Sequence, residues 1–583
     1  MTERFFRHAA WLVPLLLGLL SVALGQDDGW DMRNYHLYNV YALFNGRMDL
    51  DISPAGFQTY FNPALDIPYY VLTQWLPPKA VAFIFGVVHG LNFILVLAIA
   101  RLMLPRDAGP RLPVLLALAG VLGAGFLAEL GNSMGDNLTA LLVLAPLYML
   151  LRDWDRPTLA AAVAAGLLMG LGTGLKLTNA GFALALCIAM LLMPGAFWQR
   201  VRAAFVFGLG VLAGMAASAG WWWWEMWQRF GNPLFPQFND IFKSPLAQPL
   251  GVLDLDHLPR GVGEALLWPF IFTRDIARIA EVPLRQLIWP VIYVLLIALA
   301  AQWLWRRLSG RGRALAPRTA FVALFFAISY LVWLKLFSIY RYLVPIELIA
   351  PLLAWLAIVH LLPSALARRA AAVAVAVCTV AAFPFTTWGH ADWAEQSFSA
   401  ETPALPQPGA SIIFLAQADP PTAWLAQFMP PAAAVAAVGT GFPESPAYMA
   451  RIARLRELRT GPHYVLFSAA TNTKERSLPR KIAAARALGL TDSADDCARL
   501  GRWLGKVRFQ VQVKPLDGGQ RCTLELQEKF RIDLDALDRE AEQRMAAHMA
   551  RYGMALDTAS CRRYRAAVGG NPYPYRLCEV RPQ

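Results

Sequence analysis

The stretch AAWLVPLLLGLLSVALGQDDGWDMRNYHLYN, residues 9–39, sets an uncharged apolar run directly against a dense polar and aromatic cluster. From Ala9 to Gly25 the run is long enough, at 1.5 Å per helical residue, to approach the thickness of a hydrocarbon core of about 30 Å. Arg4 and Arg7 precede it, and Ser21-Val22-Ala23 has the small side chains of a cleavage site, the outline of a secretory signal peptide. Apolar runs recurring downstream make it instead the first of many spans. They lie near 80–104, 113–130, 138–151, 158–175, 178–194, 203–220, 286–305, 319–336, 343–361 and 370–386, divided by Pro, Gly and charged residues.

Composition agrees. Of 583 residues, 57% are hydrophobic and only 16% charged, where a soluble domain carries about a quarter charged. The expectation is a polytopic α-helical membrane protein with about eleven transmembrane helices. The net charge of +13 sits largely in short loops, so it reads as a topology signal and not as a nucleic-acid footprint. Neither a P-loop, a Gly-x-Gly-x-x-Gly fingerprint nor a Cys-x-x-Cys spacing occurs in a usable context, which argues against nucleotide chemistry.

Orientation is set by the basic residues. One set of alternate loops holds Arg4/Arg7, Arg106/Arg111, Arg152/Arg156, Arg200/Arg202, the cluster Arg306 to Arg318 and Arg368/Arg369; the short loops of the other set hold only Lys176 and Arg341. The first set is expected to be cytoplasmic, with the N-terminus. Residues 26–79, 221–285 and the tail then face outward, which in a bacterial inner membrane means the periplasm. Residues 1–390 read as the transmembrane module and 391–583 as a soluble periplasmic α/β domain. After Pro403, Pro406 and Pro408 the tail shows strand-like segments at Ser411–Leu415, Tyr464–Ser468 and Val507–Val513 between helix-like charged ones. Cys497, Cys522, Cys561 and Cys578 all fall there, an even number in a domain placed outside on separate grounds. Four cysteines allow three pairings; the sequential one, Cys497–Cys522 and Cys561–Cys578, is preferred.

The chemistry-bearing residues gather on the outer side. The first outer loop carries Asp27, Asp28, Trp30, Asp31, Arg33, Tyr35 and His36, then Tyr60-Phe61-Asn62-Pro63 before the second span. An Asp shortly after the first span with an aromatic four positions on (Asp31, Tyr35), then Gly46-Arg47, then an aromatic-Pro segment, resembles the GT-C superfamily of membrane glycosyltransferases, which includes protein O-mannosyltransferases and lipid A aminoarabinose transferases. Glu129-Leu-Gly131-Asn132-Ser133-Met-Gly135-Asp136 resembles the family's second outer loop, Gly170-Leu-Gly172-Thr-Gly174-Leu-Lys176 its Gly-rich segment ending in Lys, and Tyr340-Arg341-Tyr342-Leu-Val-Pro345 its Arg-Tyr-x-x-Pro segment. Gly231-Asn232-Pro233, after Trp221–Trp224, is similar to a segment of some bacterial members. The chain departs from the pattern at Met32, where members often have Glu, and at Phe61-Asn62-Pro63, where they have Lys-Pro-Pro or His-Pro-Pro.

The resemblance implies a donor sugar, hexose or pentose, on a polyprenyl phosphate held by membrane lipid and helices, and a glycan, lipid or protein acceptor. It implies Asp31 as general base. A phosphate leaves as a stable anion, so cations replace the acid of a glycoside hydrolase; Lys176 and Arg341 are the candidates. Tyr35, His36, Tyr60, Asn62, Asp136 and Tyr342 are candidate substrate contacts. No cofactor is certain; a divalent cation on Asp31 and Asp136 is the one candidate. Structural readings stand beside these: Lys176 snorkelling to the interface, Arg341 pairing with Glu347 or an acid elsewhere, Asp136 capping a helix from Asn137, and His36 as a packing residue. Asp27 and Asp28 are the alternative bases. Two other functions remain: a multi-span transporter or flippase, against which stand the lack of a clear internal repeat and the clustering of ionisable residues at one face, and a non-catalytic envelope-assembly protein.

Overall fold

The computed structural model describes residues 2–251, 255–506 and 509–583. They form two compact units: Met1–Met48, Phe57–Ser397 and Pro443–Ala450 in the first, Asp49–Gly56, Phe398–Phe442 and Arg451–Gln583 in the second.

The first unit is helical, and each of the eleven apolar runs contains a helix. Among the described residues, five are long and apolar enough to cross a membrane alone: Glu3–Leu24, Pro78–Met103, Phe197–Phe230, Ile288–Ser309 and Pro317–Leu336. Tyr340–Glu347 and Ala350–Leu361, bent by 57°, make a sixth if counted as one broken span. The remaining runs are shorter or interrupted. The 113–130 run divides at Gly123 into Arg111–Val121 and Ala124–Ala128, and the 138–151 run forms Asp136–Arg152. The Phe197–Phe230 helix reaches about 51 Å and outruns its apolar segment. It carries Trp221–Trp224, read from sequence as loop, as a helical extension and ends at Gly231, whose φ of +65° is the left-handed conformation that glycine adopts at least cost.

This helix packs along Leu159–Leu175 through small residues four apart on both sides: Gly166, Gly170 and Gly174 against Gly210, Gly214 and Ser218. A Cβ on Gly210 would stand 2.7 Å from the Val163 carbonyl oxygen, so the backbones touch where side chains would hold them apart. The Gly-rich segment before Lys176 is thus a packing surface, and it fixes where Lys176 emerges from the helix end.

The second unit contains a mixed sheet. Ile412–Leu415 lies parallel between Ala434–Ala437 and His463–Ser468, and Tyr575–Pro582 adds antiparallel to His463–Ser468, with Cys578 opposite Val465. The parallel strands are buried along nearly their whole length, which is why they read as apolar runs without alternation. Arg562–Tyr564 and Met554–Leu556 both pair with Tyr575–Pro582. The open edge at Ala434–Ala437 is met by Asp49–Gly56: Ile52 pairs with Ala436 as a parallel bridge, and the Asp51 carboxylate accepts from the Val435 N–H at 2.8 Å. The third expected strand is found at Val511–Leu516, paired with Arg521–Leu526; Val507 and Arg508 lie outside the described residues. Disulfides join Cys497 to Cys522 and Cys561 to Cys578. The first ties the Ala494–Lys506 helix to its hairpin over a small core of Leu500, Leu504, Val511, Leu524 and Leu526.

Candidate functional site

Directly after the first span, Gln26 and Asp27 pair with Ala391 and His390, and the chain enters a π-helical turn, Met32–His36. The Leu37 N–H reaches back five residues to the Met32 carbonyl. Such wide turns are rare and concentrate at functional sites. Asp27 is committed to structure: its carboxylate accepts from the Gly29 N–H at 2.9 Å and from the Ser133 N–H and hydroxyl at 2.8 and 2.7 Å. Asp28 pairs with Arg33 Nε at 3.2 Å. Of the three acids in this segment, Asp31 meets the distant cation: Arg341 Nη1 donates to its Oδ2 at 2.5 Å across 310 residues of sequence.

Arg341 is presented by a pinned turn. Tyr340, its neighbour, donates its N–H to the Ile279 carbonyl at 2.7 Å, and its hydroxyl donates to Glu347 at 2.7 Å while accepting from Trp289 Nε1 at 3.0 Å. Glu347 in turn accepts from the Gly125 and Phe126 N–H groups at the start of Ala124–Ala128. Of the two structural pairings expected for Arg341, the one with Glu347 does not form, since Tyr340 and two backbone N–H groups take that carboxylate; Arg341 pairs with an acid elsewhere, Asp31.

A second ion pair lies beside the first. Lys176 Nζ stands 2.6 Å from Asp136 Oδ2 and donates to the Met134 carbonyl at 2.8 Å, while the Met134 sulfur lies 3.7 Å from Arg341 Nη1. The Tyr342 ring is 5.4 Å from both Lys176 Nζ and the Arg341 guanidinium carbon, bridging the two cations. Asp136 begins the Asp136–Arg152 helix after Gly135, whose φ is +85°. Gly135 holds the cap position and Asp136 is the first helical residue, so Asp136 is not the cap of a helix starting at Asn137; it pairs with Lys176, with the helix N-terminus favouring the anion.

Burial pushes the Asp31 carboxyl up, but Arg341, with His36 and Lys176 beyond it, outweighs burial and holds it below its ordinary value of 3.8. Tyr35 and His36 stack at 4.2 Å with 28° between rings, and Phe61 meets Tyr35 edge-on. His36 Nδ1 is bonded to the Asp66 carboxylate in a contact buried on both sides. Tyr60 and Asn62 sit among framework contacts: the Tyr60 ring packs on Phe230 and Phe235, and Asn62 caps the Pro63–Leu65 turn and donates to the Gly174 and Ser218 carbonyls. Asp66, Met134 and Glu129 went unassigned in the sequence. Asp66 carries a signal only in retrospect, as the sole acid of its segment; Glu129 is fully buried against Asp136, with Lys176 and Arg341 acting on it as well.

The residues present do not assemble a cation site of the expected kind: Asp31 and Asp136 are each turned to a basic side chain, and no group of three or more His, Cys, Asp or Glu placed to hold a metal ion occurs among the described residues. What the cluster offers is two buried carboxylates, each holding a cation that an incoming anion can attract, around one aromatic ring.

Residues 60–338 match the model of glycosyltransferase family 87. The matched stretch contains Tyr60, Asn62, Asp136 and Lys176, and it supports the resemblance to membrane glycosyltransferases of the GT-C superfamily. The apolar helices fit a multi-pass membrane protein, and over the matched residues, just under half of its length, the chain is similar to a glycosyltransferase family. Asp31, Tyr35 and His36 precede the family 87 stretch and Arg341 lies beyond it. The crystal structure of the apo oligosaccharyltransferase of Archaeoglobus fulgidus is similar at 13% identity and a TM-score of 0.42, over 82% of this chain and 71% of that one. No curated protein matches the chain.

Proposed function

We propose that the chain transfers a hexose or pentose from a polyprenyl-phosphate donor to an acceptor of the cell envelope (glycan, lipid or protein), inverting the anomeric centre, with Asp31 as general base. The observation that carries this reading is the Asp31–Arg341 pair set beside Asp136–Lys176. The donor's phosphate draws Arg341 and Lys176 toward itself, where a planar donor fork and a point charge stabilise the departing anion. Asp31 then loses the partner that depresses it and becomes more basic as the acceptor attacks. The acceptor oxygen or nitrogen bonds to the anomeric carbon opposite the phosphate, the carbon–oxygen bond to phosphate breaks with its electron pair on the phosphate, and the acceptor's proton goes to Asp31.

The reading places about eleven spans in a bacterial inner membrane, the N-terminus in the cytoplasm, and the site and C-terminal unit on the periplasmic side. The asymmetry of Lys and Arg between alternate loops supports that orientation, and two disulfides suit an oxidising compartment. The test is reconstitution of wild type and Asp31→Asn in liposomes with polyprenyl-phosphate sugars and envelope extract, measuring sugar transferred and polyprenyl phosphate released. Transfer by wild type alone is expected. Equal transfer by both removes Asp31 as the base, and no transfer by folded wild type from any such donor refutes the function.

A further inference from the structure

The His36 imidazole is only 3% exposed, and its two nitrogens are treated differently. Nδ1 is bonded to Asp66, itself 4% exposed, while Nε2 is buried with no hydrogen-bond partner among the described residues. Leaving a buried ring nitrogen unpaired is costly, and such orphans call for an explanation. The ring cannot turn to relieve it, since Tyr35 stacks on its face and Asp66 holds the opposite nitrogen. Asp66 is fixed as well: its N–H donates to the Pro63 carbonyl at 2.9 Å, and it leads into the Ile67–Trp75 helix. A carboxylate on Nδ1 selects the tautomer that carries its proton there and leaves a lone pair on Nε2, the arrangement of an oriented general base. The π-helical turn sets this ring one turn beyond Asp31, near enough for each charge to act on the other.

We propose that His36 Nε2 is a second proton acceptor of the transferase site, with Asp66 as its positioning residue, so that the proton released by the attacking acceptor passes from Asp31 to His36 and ends on an imidazolium paired with the Asp66 carboxylate. The inference rests on the transferase reading above. The step balances: the acceptor bonds to the anomeric carbon, the bond to phosphate breaks toward oxygen, and the one proton lost by the acceptor is the one gained by His36. Asp31 thereby returns to its ionised form and can pair again with Arg341. The groups acting on His36 are Asp66 from the turn after Leu65, Asp31 and Asp27 from its own segment, and the stacked Tyr35; Lys176 acts in turn on Asp66. Burial pushes His36 down, but the three acids together, Asp66 first, hold it above its ordinary value of 6.5.

The relay requires neutral His36, so transfer must fall as pH falls through its titration, on a limb centred above about 6.5. The experiment is the pH profile of transfer in liposomes for wild type, His36→Gln and Asp66→Asn, with thermal unfolding of each protein in detergent beside it. His36→Gln is expected to transfer about 10²- to 10⁴-fold more slowly and to lack the limb. Asp66→Asn, stripped of the carboxylate that raises the imidazole, is expected to keep a limb displaced to lower pH, a shift that a merely structural role would not produce. A wild-type profile flat from about pH 5.5 to 8 overturns the relay without any variant, and so does a folded His36→Gln protein with wild-type rate and profile. If Asp31→Asn is inactive while His36→Gln is fully active, only the relay fails. If wild type transfers nothing, the transferase reading fails with it.

Discussion

Replacing Arg341 by Met tests the central pair by stability as well as by activity. The side chains of Asp31 and Arg341 are 12% and 14% exposed, so solvent screens them little. Removing one partner of such a pair leaves a desolvated charge, a loss of about 3–5 kcal/mol, whereas removing both charges leaves a polar but uncharged site and costs less. Arg341→Met should therefore destabilise the protein by about that amount, and Asp31→Asn by a similar or smaller one, since Asp136 still faces Arg341. The double variant should be more stable than the sum of the two predicts, with a coupling of about 1–3 kcal/mol. Unfolding in detergent, monitored by tryptophan fluorescence at a common denaturant or temperature, measures all four corners of the cycle. Additive losses, or a cost below about 1 kcal/mol for Arg341→Met, are what an exposed surface pair gives. Either result would refute the buried pair and with it the claim that Arg341 depresses Asp31.

The helical framework and the disulfides lead to two further expected outcomes. Gly210→Leu should separate the Leu159–Leu175 and Phe197–Phe230 helices, displace Lys176 and abolish transfer, while the Gly208→Leu control, at a glycine where an added Cβ meets nothing within 4 Å, stays active; an active, folded Gly210→Leu protein would show that the close approach does not govern the site. Reduction of Cys497–Cys522 and Cys561–Cys578, which close sequence separations of 25 and 17, should remove about 3 kcal/mol each from the second unit. Limited proteolysis with and without dithiothreitol checks it, faster cleavage confined to residues after about 450 being the expected result.

The helical framework was legible because lipid solvent imposes long apolar runs, and every run holds a helix. Length was less legible than position: Gly123 and the bend after Glu347 shorten two runs in ways that hydropathy alone does not mark. The parallel strands Ile412–Leu415 and His463–Ser468 were visible as apolar runs, whereas Ile52 was not, because a single bridging residue in a polar loop has no period to detect. Likewise a π-helical turn has no pattern distinguishable from an α-helix over five residues.

The site shows the same division more sharply. Asp31, Asp136, Lys176 and Arg341 stood out by residue type and place, but their pairing did not, since Glu347 is six residues from Arg341 and Asp31 is 310 away. Sequence proximity favours Glu347, but that carboxylate is already satisfied by the Tyr340 hydroxyl together with the Gly125 and Phe126 N–H groups. Removing that hydroxyl with Tyr340→Phe would leave Glu347 with its backbone donors from Gly125 and Phe126, so the Asp31–Arg341 pair does not depend on Glu347 needing a cation. The cation is directed outward because the acid nearest in sequence is already satisfied, and it is this local satisfaction, made by groups with no part in the chemistry, that leaves Arg341 for Asp31.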